Sequence, residues 1–230
     1  ARLIWYATLA LLRCVASSPA AAVKALSNRL EGVESSNDLL TDERLYDGGA
    51  DDLMSSDIEP PAQLQNQSLQ TLIDEAGRLS GKKGDPKLSA LIQHLDGLVA
   101  DGFQPVIFCR YIATAHYVAE HLRKYFPKAL VESVTGELTP EERRLKVEDM
   151  EEGQQRILVA TDCLSEGINL QHLFTAVVHY DLAWNPTRHE QREGRVDRFG
   201  QQANEVRCTM MFGQDNPVDG FVLNVILRKG

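Results

Sequence analysis

From residue 105 onward, short apolar runs alternate with helical stretches. No other feature of the chain constrains its fold as tightly. "PVIFCR" (105–110) leads to "ATAHYVAEHLRKYF" (113–126), and "ALVESVTG" (129–136) to "TPEERRLKVEDMEEG" (139–153). "QRILVATD" (155–162) leads to a short irregular stretch, "TAVVHYD" (175–181) to a polar helix, and "EVRCTMMF" (205–212) to a last helix opening at Asn216-Pro217. Runs apolar at consecutive positions predict strands buried on both faces, and crossover helices lay each strand parallel to its neighbour. The expected fold class is α/β, a parallel sheet with helices on both faces and an N-terminal helical extension. Ligands of such sheets gather at the carboxyl ends of the strands. The informative loops should therefore follow Arg110, Val134, Asp162 and Asp181.

Ahead of the sheet the chain divides in three. Residues 1–30 form a helical segment, with helix read from residue 3 to near Gly32. The opening apolar run followed by small residues has the look of a signal peptide, but Arg13 interrupts it, and an amphipathic helix in a piece of a longer protein is the preferred reading. Residues 31–67 are acidic, rich in Ser, Asp and Gly, and contain Pro60-Pro61. They carry too little apolar surface to offset the entropy of ordering and are expected to be a flexible linker or insertion that could meet a protein partner; a decoy mimicking nucleic acid is the less favoured alternative. Residues 68–230 form the main lobe. In it Leu69, Leu72, Ile73, Ala76 and Leu79 make a helical stripe, and Asp85-Pro86 caps another that carries Leu88, Leu91, Ile92, Leu95 and Leu98.

Charge has to be read by segment. The chain carries a net charge of −9, yet residues 31–63 alone hold ten acids and one base, Arg44. The other 197 residues carry 23 acids and 23 bases, so an acidic total does not exclude a nucleic-acid partner. No apolar run approaches the roughly 18 residues of a membrane span. The four cysteines, Cys14, Cys109, Cys163 and Cys208, form no C-x-x-C pair, which argues against a zinc site or disulfide framework and fits the reducing cytoplasm.

"NPTRHEQREGRVDRFGQ" (185–201) concentrates positive charge. Asn185-Pro186 predicts a capped helix to about Arg198. At about 100° per residue Arg188, Arg192, Arg195 and Arg198 share one face, with Glu190, Glu193 and Asp197 opposite. Salt bridging within a helix would mix the signs on one face. Segregated guanidinium suits phosphate, because its planar fork donates paired hydrogen bonds. Gly194 inside that helix costs about 1 kcal/mol against alanine, which a bulky partner approaching the backbone would explain. The bland alternative is a solvated charged helix.

Several motifs now point one way. "QREGRVDRFGQ" resembles the last motif of superfamily-two helicases, Q-x-x-G-R-x-x-R, and its trailing "FGQ" is similar to the Swi/Snf-type branch of DNA-translocating ATPases, in particular the bacterial RapA-like group. "ILVATDCLSEGINLQ", "VIFCRYIATAHYVAEHL", "TGELTPEERRLKVEDM" and "DLAWNP" resemble further motifs of those families in the right order. The resemblance spans roughly residues 85–212 and implies the second RecA-like lobe of a motor. By that resemblance Arg195 and Arg198 reach nucleotide phosphates, Arg198 as the arginine finger, and Gln191, Gly167 and Asn169 line the nucleotide. Many relatives have Asp where Asn169 stands. Arg110, Thr135, Gly136, Thr161 and Ser165 match positions at the nucleic-acid backbone. The implied partners are duplex DNA and an N-terminal RecA-like lobe of the same protein; the implied location is the cytoplasm, with nucleoid association if the source is bacterial.

ATP and Mg2+ would be held mainly by that other lobe. A complete ATPase needs G-x-x-x-x-G-K-[ST] for the phosphates and an acidic motif for magnesium. "AGRLSGKKGD" fails: Gly77 stands one position too close to Gly81, and Lys83 replaces the hydroxyl. "DERL" (42–45) lies in the acidic segment and lacks a final His. The catalytic lobe is therefore expected upstream, and the lobe alone is expected to be inactive. No metal site is expected: His116 and His121, five apart, fall on different helical faces. Cys163 with His179 lacks a third group for nucleophilic catalysis. Trp184 is read as a core wedge before a base-stacking platform, and Glu166 as a positioning carboxylate before a catalytic base.

Overall fold

The computed structural model describes residues 11–30, 66–150, 154–164, 168–183 and 185–214, with 216, 219, 220, 223 and 224. Most of the acidic segment (31–65), together with Ser165, Glu166, Gly167, Trp184 and Pro217, lies outside the described residues.

Strands β1 (Pro105–Phe108), β2 (Leu130–Val134), β3 (Arg156–Ala160), β4 (Ala176–His179) and β5 (Arg207–Met210) form one sheet. Their order is β2-β3-β1-β4-β5 and every pairing is parallel. The sheet is RecA-like, as expected. Val134 and Phe108 both lie opposite Ala160, and Phe108 also opposite His179. The strands therefore end in line, and the segments beginning at Thr135, Thr161, Cys109 and Tyr180 leave from one edge.

Strand alternation sorts the core into two faces. Ile107, Val159 and Val178 pack against Leu88, Leu91, Ile92, Leu95, Val118 and Leu122. These come from helices α3 (Pro86–Ala100) and α4 (Ile112–Tyr125), which follow α1 (Pro19–Leu30) and α2 (Asn66–Arg78) in the chain. Val106, Phe108, Leu158 and Val177 pack against Val147, Met150, Leu170, Phe174 and Val196. On that face α5 (Pro140–Glu148) and residues 161–164 and 168–175 supply the cover. Asp85 caps α3 as expected, its carboxylate accepting the Leu88 N–H at 3.0 Å. Helix α5 opens on a reciprocal box in which Thr139 accepts the Glu142 N–H and Glu142 accepts the Thr139 N–H. It stops at Glu148, short of the stretch to residue 153 read as helical.

The N-terminal helix also differs from expectation. Residues 11–17 are helical, Ser18 breaks the run, and α1 restarts at Pro19–Leu30. A residue before proline is pushed out of the α region, and Pro19 fits the first helical position. Ser18 then accepts the Ala21 N–H at 3.1 Å as the cap. Helix α2 (Asn66–Arg78) opens ahead of the residue 67/68 boundary read from composition. Helix α1 lies against both α2 and α4, so the extension is seated on the lobe. Among the described residues no helix is long and apolar enough to cross a membrane, none of the four cysteines is in a disulfide, and no cluster could hold a metal ion.

Candidate functional site at the strand tips

Two buried carboxylates organise the tips. Asp162 follows β3 and Asp181 follows β4. Arg192 reaches Asp162 with Nε to Oδ1 at 2.7 Å and Nη2 to Oδ2 at 2.8 Å, and its Nη1 donates to the Asp181 carbonyl at 3.0 Å. The guanidinium lies over the Phe108 ring, 5.4 Å from its centre. Burial pushes the Asp162 carboxyl up, but Arg192 beside it, then Arg188 and Arg110, outweigh burial and hold it below the usual range. The expectation of four arginines on one ligand-facing side is thereby corrected, because Arg192 is turned into the fold.

The predicted helix to Arg198 is corrected as well. Helix α6 spans Pro186–Glu193, capped at its start by Asn185, whose side chain accepts the Thr187 N–H at 3.1 Å. Gly194 is the C-cap with φ −64. A Cβ there would stand 3.1 Å from the Glu190 carbonyl, so the close approach that favours glycine comes from its own helix. Arg195 and Arg198 stand in the turns that follow. Arg198 is exposed and Arg195 half-buried. Burial lowers the Arg195 pKa while Asp162 opposes that shift. Among the described residues neither side chain has a hydrogen bond or ion pair. Beside them Phe199 is fully exposed. Gly200, at φ +95, turns the chain in a region that L side chains rarely adopt.

Gln201 holds this turn, a role that sequence reasoning did not give it. Its Nε2 donates to the Phe174 and Val196 carbonyls at 3.1 and 2.9 Å, and its Oε1 accepts the Ala203 N–H at 3.0 Å. His179 and His189 were also missed as structural groups. His179 donates from Nε2 to Glu193 at 2.9 Å, fixing the end of α6. The Nε2 of His189 accepts the Ala183 N–H at 3.0 Å, so its proton sits on Nδ1. Burial, then neighbouring His179 and Arg192, push the His189 pKa down to about 3.

Of the other predicted residues, Arg110, Thr135, Gly136 and Thr161 follow strand ends. Gln191 and Asn169 are exposed. Thr161 and Thr135 are buried, with the Thr161 hydroxyl donating to Cys163 Sγ at 3.4 Å and the Thr135 hydroxyl to Glu137 at 3.2 Å. Gly136 is half-buried, and its carbonyl accepts from Arg143 Nη2 at 3.1 Å. Arg143, unremarked in the sequence, also reaches the Leu138 and Cys163 carbonyls and joins the loops after β2 and β3. Arg110 is buried over Tyr111, beside a depression lined by Arg13, Ser17, Tyr111, Asp181 and Asp219. Ser165 and Gly167 lie outside the described residues. His116 meets Glu137, whereas His121 packs on Tyr117.

Residues 86–200 match the family model described as "Helicase conserved C-terminal domain". The ATP-dependent RNA helicase FAL1 of Lodderomyces elongisporus is 30% identical over 125 residues, which is 54% of this chain and 30% of that protein. The ATP-dependent RNA helicase eIF4A of the same organism is 31% identical over 118 residues, 51% of this chain and 28% of that one. The chain thus spans less than a third of these curated relatives. Among solved structures, the C-terminal part of the Fun30 ATPase domain superposes with a TM-score of 0.60 at 17% identity, over 94% of this chain and 70% of that one. A DEAD box protein from the hyperthermophile Methanococcus jannaschii gives a TM-score of 0.50 at 26% identity, over 62% of this chain and 36% of that one.

Proposed function

Because the chain belongs to the helicase conserved C-terminal domain family, we propose that it is the second motor lobe of an ATP-dependent nucleic-acid translocase. In this reading ATP and Mg2+ are held by a separate N-terminal lobe of the same protein. The carrying observation is the contrast between Arg192, consumed by Asp162, and Arg195 with Arg198, which have no hydrogen-bonded or ion-paired acid among the described residues and stand in the turns after α6, in the stretch that Gln201 staples. Positive charge that is not neutralised locally stabilises a phosphate brought to it, and phosphoryl transfer is accelerated by charge placed on the γ-phosphate in advance. Arg198 is the finger, Arg195 its companion, and Gln191, Gly167 and Asn169 line the nucleotide. Closing the two lobes would assemble the site and hydrolysis would release it.

The loops after the strands form the nucleic-acid side. Arg110, Thr135, Gly136, Thr161 and Ser165 belong to it, and the inward-turned hydroxyls of Thr135 and Thr161 leave loop backbone as the surface offered to phosphates. Such contacts position a strand without reading bases. Duplex DNA is the proposed track, on the Swi/Snf-like wording of "SEGINLQ" and "RFGQ". A strand-separating RNA helicase is the second reading, favoured by relatives named as RNA helicases. Bacterial, RapA-like kinship and a cytoplasmic, nucleoid-associated setting belong to the first reading. A silent docking lobe would keep the fold without the rate effect.

The test is Arg198→Ala in the full-length protein. ATP turnover should fall on the order of 10³-fold or more while nucleotide affinity changes little. Equal losses of binding and turnover would refute the finger role. Triplex displacement on duplex DNA, set against unwinding of an RNA duplex, separates the two tracks. The lobe alone should release no phosphate above background.

A further inference from the structure

Asp181 faces two ways. Its carboxylate looks toward the N-terminal segment. Oδ1 accepts from Lys87 Nζ at 2.7 Å; Oδ2 accepts from the Ser17 hydroxyl at 2.8 Å and the Arg110 N–H at 2.9 Å. The Lys87 ammonium also donates to the Ala16 carbonyl at 3.1 Å and lies over the Tyr180 ring. The Asp181 carbonyl looks the other way and accepts from Arg192 at 3.0 Å.

Proton counting orders the next links. A hydroxyl has one proton, and an ionised carboxylate only accepts. Ser17 spends its proton on Asp181. Thr114, 2.7 Å from Ser17, must then donate to Ser17, and Ser18, 2.7 Å from Thr114, must donate to Thr114. The chain Ser18 to Thr114 to Ser17 to Asp181 runs in one direction and ends on a charge, an arrangement in which each bond polarises the next. Burial pushes the Asp181 carboxyl up, but Lys87 and the hydrogen bonds to it hold it below the usual range, so it stays ionised.

Apolar packing of the segment is slight by comparison. Cys14, Ala21 and Ala25 cluster with Tyr111 and the partly buried Leu11 packs against them, whereas Leu12 and Val15 are 48% and 53% exposed. A seat made of directional hydrogen bonds has one geometry, whereas an apolar seat can slide. We infer that Asp181 is a positioning residue that ties the arginine turn to residues 11–18, so that the seating of this segment sets where Arg195 and Arg198 point. The inference rests on the reading of those two arginines as the groups that meet the nucleotide. It adds that whatever pulls on the N-terminal segment is felt at the finger through Asp181 and Arg192, before any loop on the nucleic-acid side moves.

The experiment uses the full-length protein carrying Ser17→Ala, with Ser17→Thr as the variant that keeps the hydroxyl. Hydrogen–deuterium exchange is followed in peptides covering 185–200 and, as reference, 140–149. Ser17→Ala should speed exchange about fivefold in 185–200, the factor given by one lost hydrogen bond, leave 140–149 unchanged, and be reversed by Ser17→Thr. No change in 185–200, or equal acceleration in both peptides, overturns the inference. ATP turnover supplies the second readout: Ser17→Ala and Arg192→Lys should be non-additive in kcat, and additivity also overturns it. If instead Arg198→Ala leaves turnover intact, the motor reading fails while the exchange result still reports on the tie through Asp181.

Discussion

Arg192 and Asp162, thirty residues apart in the chain, meet edge to edge with two hydrogen bonds of 2.7 and 2.8 Å, both side chains at most 6% exposed. The planar fork matches the carboxylate, and the third donation, to the Asp181 carbonyl, fastens α6 across the ends of β3 and β4. Removing one partner strands a buried charge. Arg192→Ala should therefore cost about 3–5 kcal/mol. The double variant Arg192→Met with Asp162→Leu should recover most of that loss. Urea denaturation of the three proteins decides; a loss below about 1 kcal/mol in the single variant contradicts the burial argument.

Gln201 staples the turn that carries Arg198. Gln201→Ala should lower stability by about 1–3 kcal/mol, since it leaves buried partners unsatisfied. In the full-length protein it should reduce kcat more than it changes KM for ATP. A pure KM effect would mean that the turn is not what presents the finger.

The buried histidines set an acid limit well above that of the carboxylates. Burial lowers the pKa of both His179 and His189, the latter to about 3. The unfolded chain therefore takes up protons first, near pH 6.5, and stability present above that pH is lost as pH falls, by up to about 1.4 kcal/mol per unit for each histidine. His94 and His121 shift in the same direction, also through burial. Asp162 and Asp181, both held low, add their loss only below about pH 4. Urea midpoints should drop between pH 6.5 and 5, and His189→Gln should flatten that slope. An unchanged slope would assign the effect elsewhere.

Two glycines should respond in opposite senses. A Cβ at Gly84 would lie 2.5 Å from the Leu79 carbonyl oxygen and 2.7 Å from its carbon, so Gly84→Ala forces backbone apart and should cost about 1–3 kcal/mol. A Cβ at Gly97, inside α3, meets nothing within 4 Å. Gly97→Ala should stabilise by about 0.5–1 kcal/mol. Thermal melts of the two variants give the comparison.

Local chemistry was legible in the chain and long-range pairing was not. Asp85, Thr139 and Asn185 announce helix starts because a cap and a following proline act within a few residues. The buried strands are legible because consecutive apolar positions admit few alternatives. Wheel geometry, however, assumes that a helix continues, and α6 ends before Arg195. Nothing near Arg192 reveals that it meets a carboxylate thirty positions earlier, or that Gln201 closes on Phe174. The Ser18-Pro19 break carried a usable signal, which the apolar periodicity around it outweighed. Of the residues assigned to the site by resemblance, Ser165 and Gly167 fall outside the described residues, and Arg110, Thr135, Gly136 and Thr161 follow strand ends.

The central place of β1 has a consequence for how the chain is made. Among the described residues β2 pairs with β3 only, and β1 with β3 and β4 only. As the polypeptide emerges during synthesis, the first two strands of this sheet have an empty slot between them and no ladder of their own to join. No part of the sheet can be completed until residue 160 has been added, so the nascent lobe waits on its own later half, and a ribosome stalled before that point would hold two apolar strands open to whatever else is nearby.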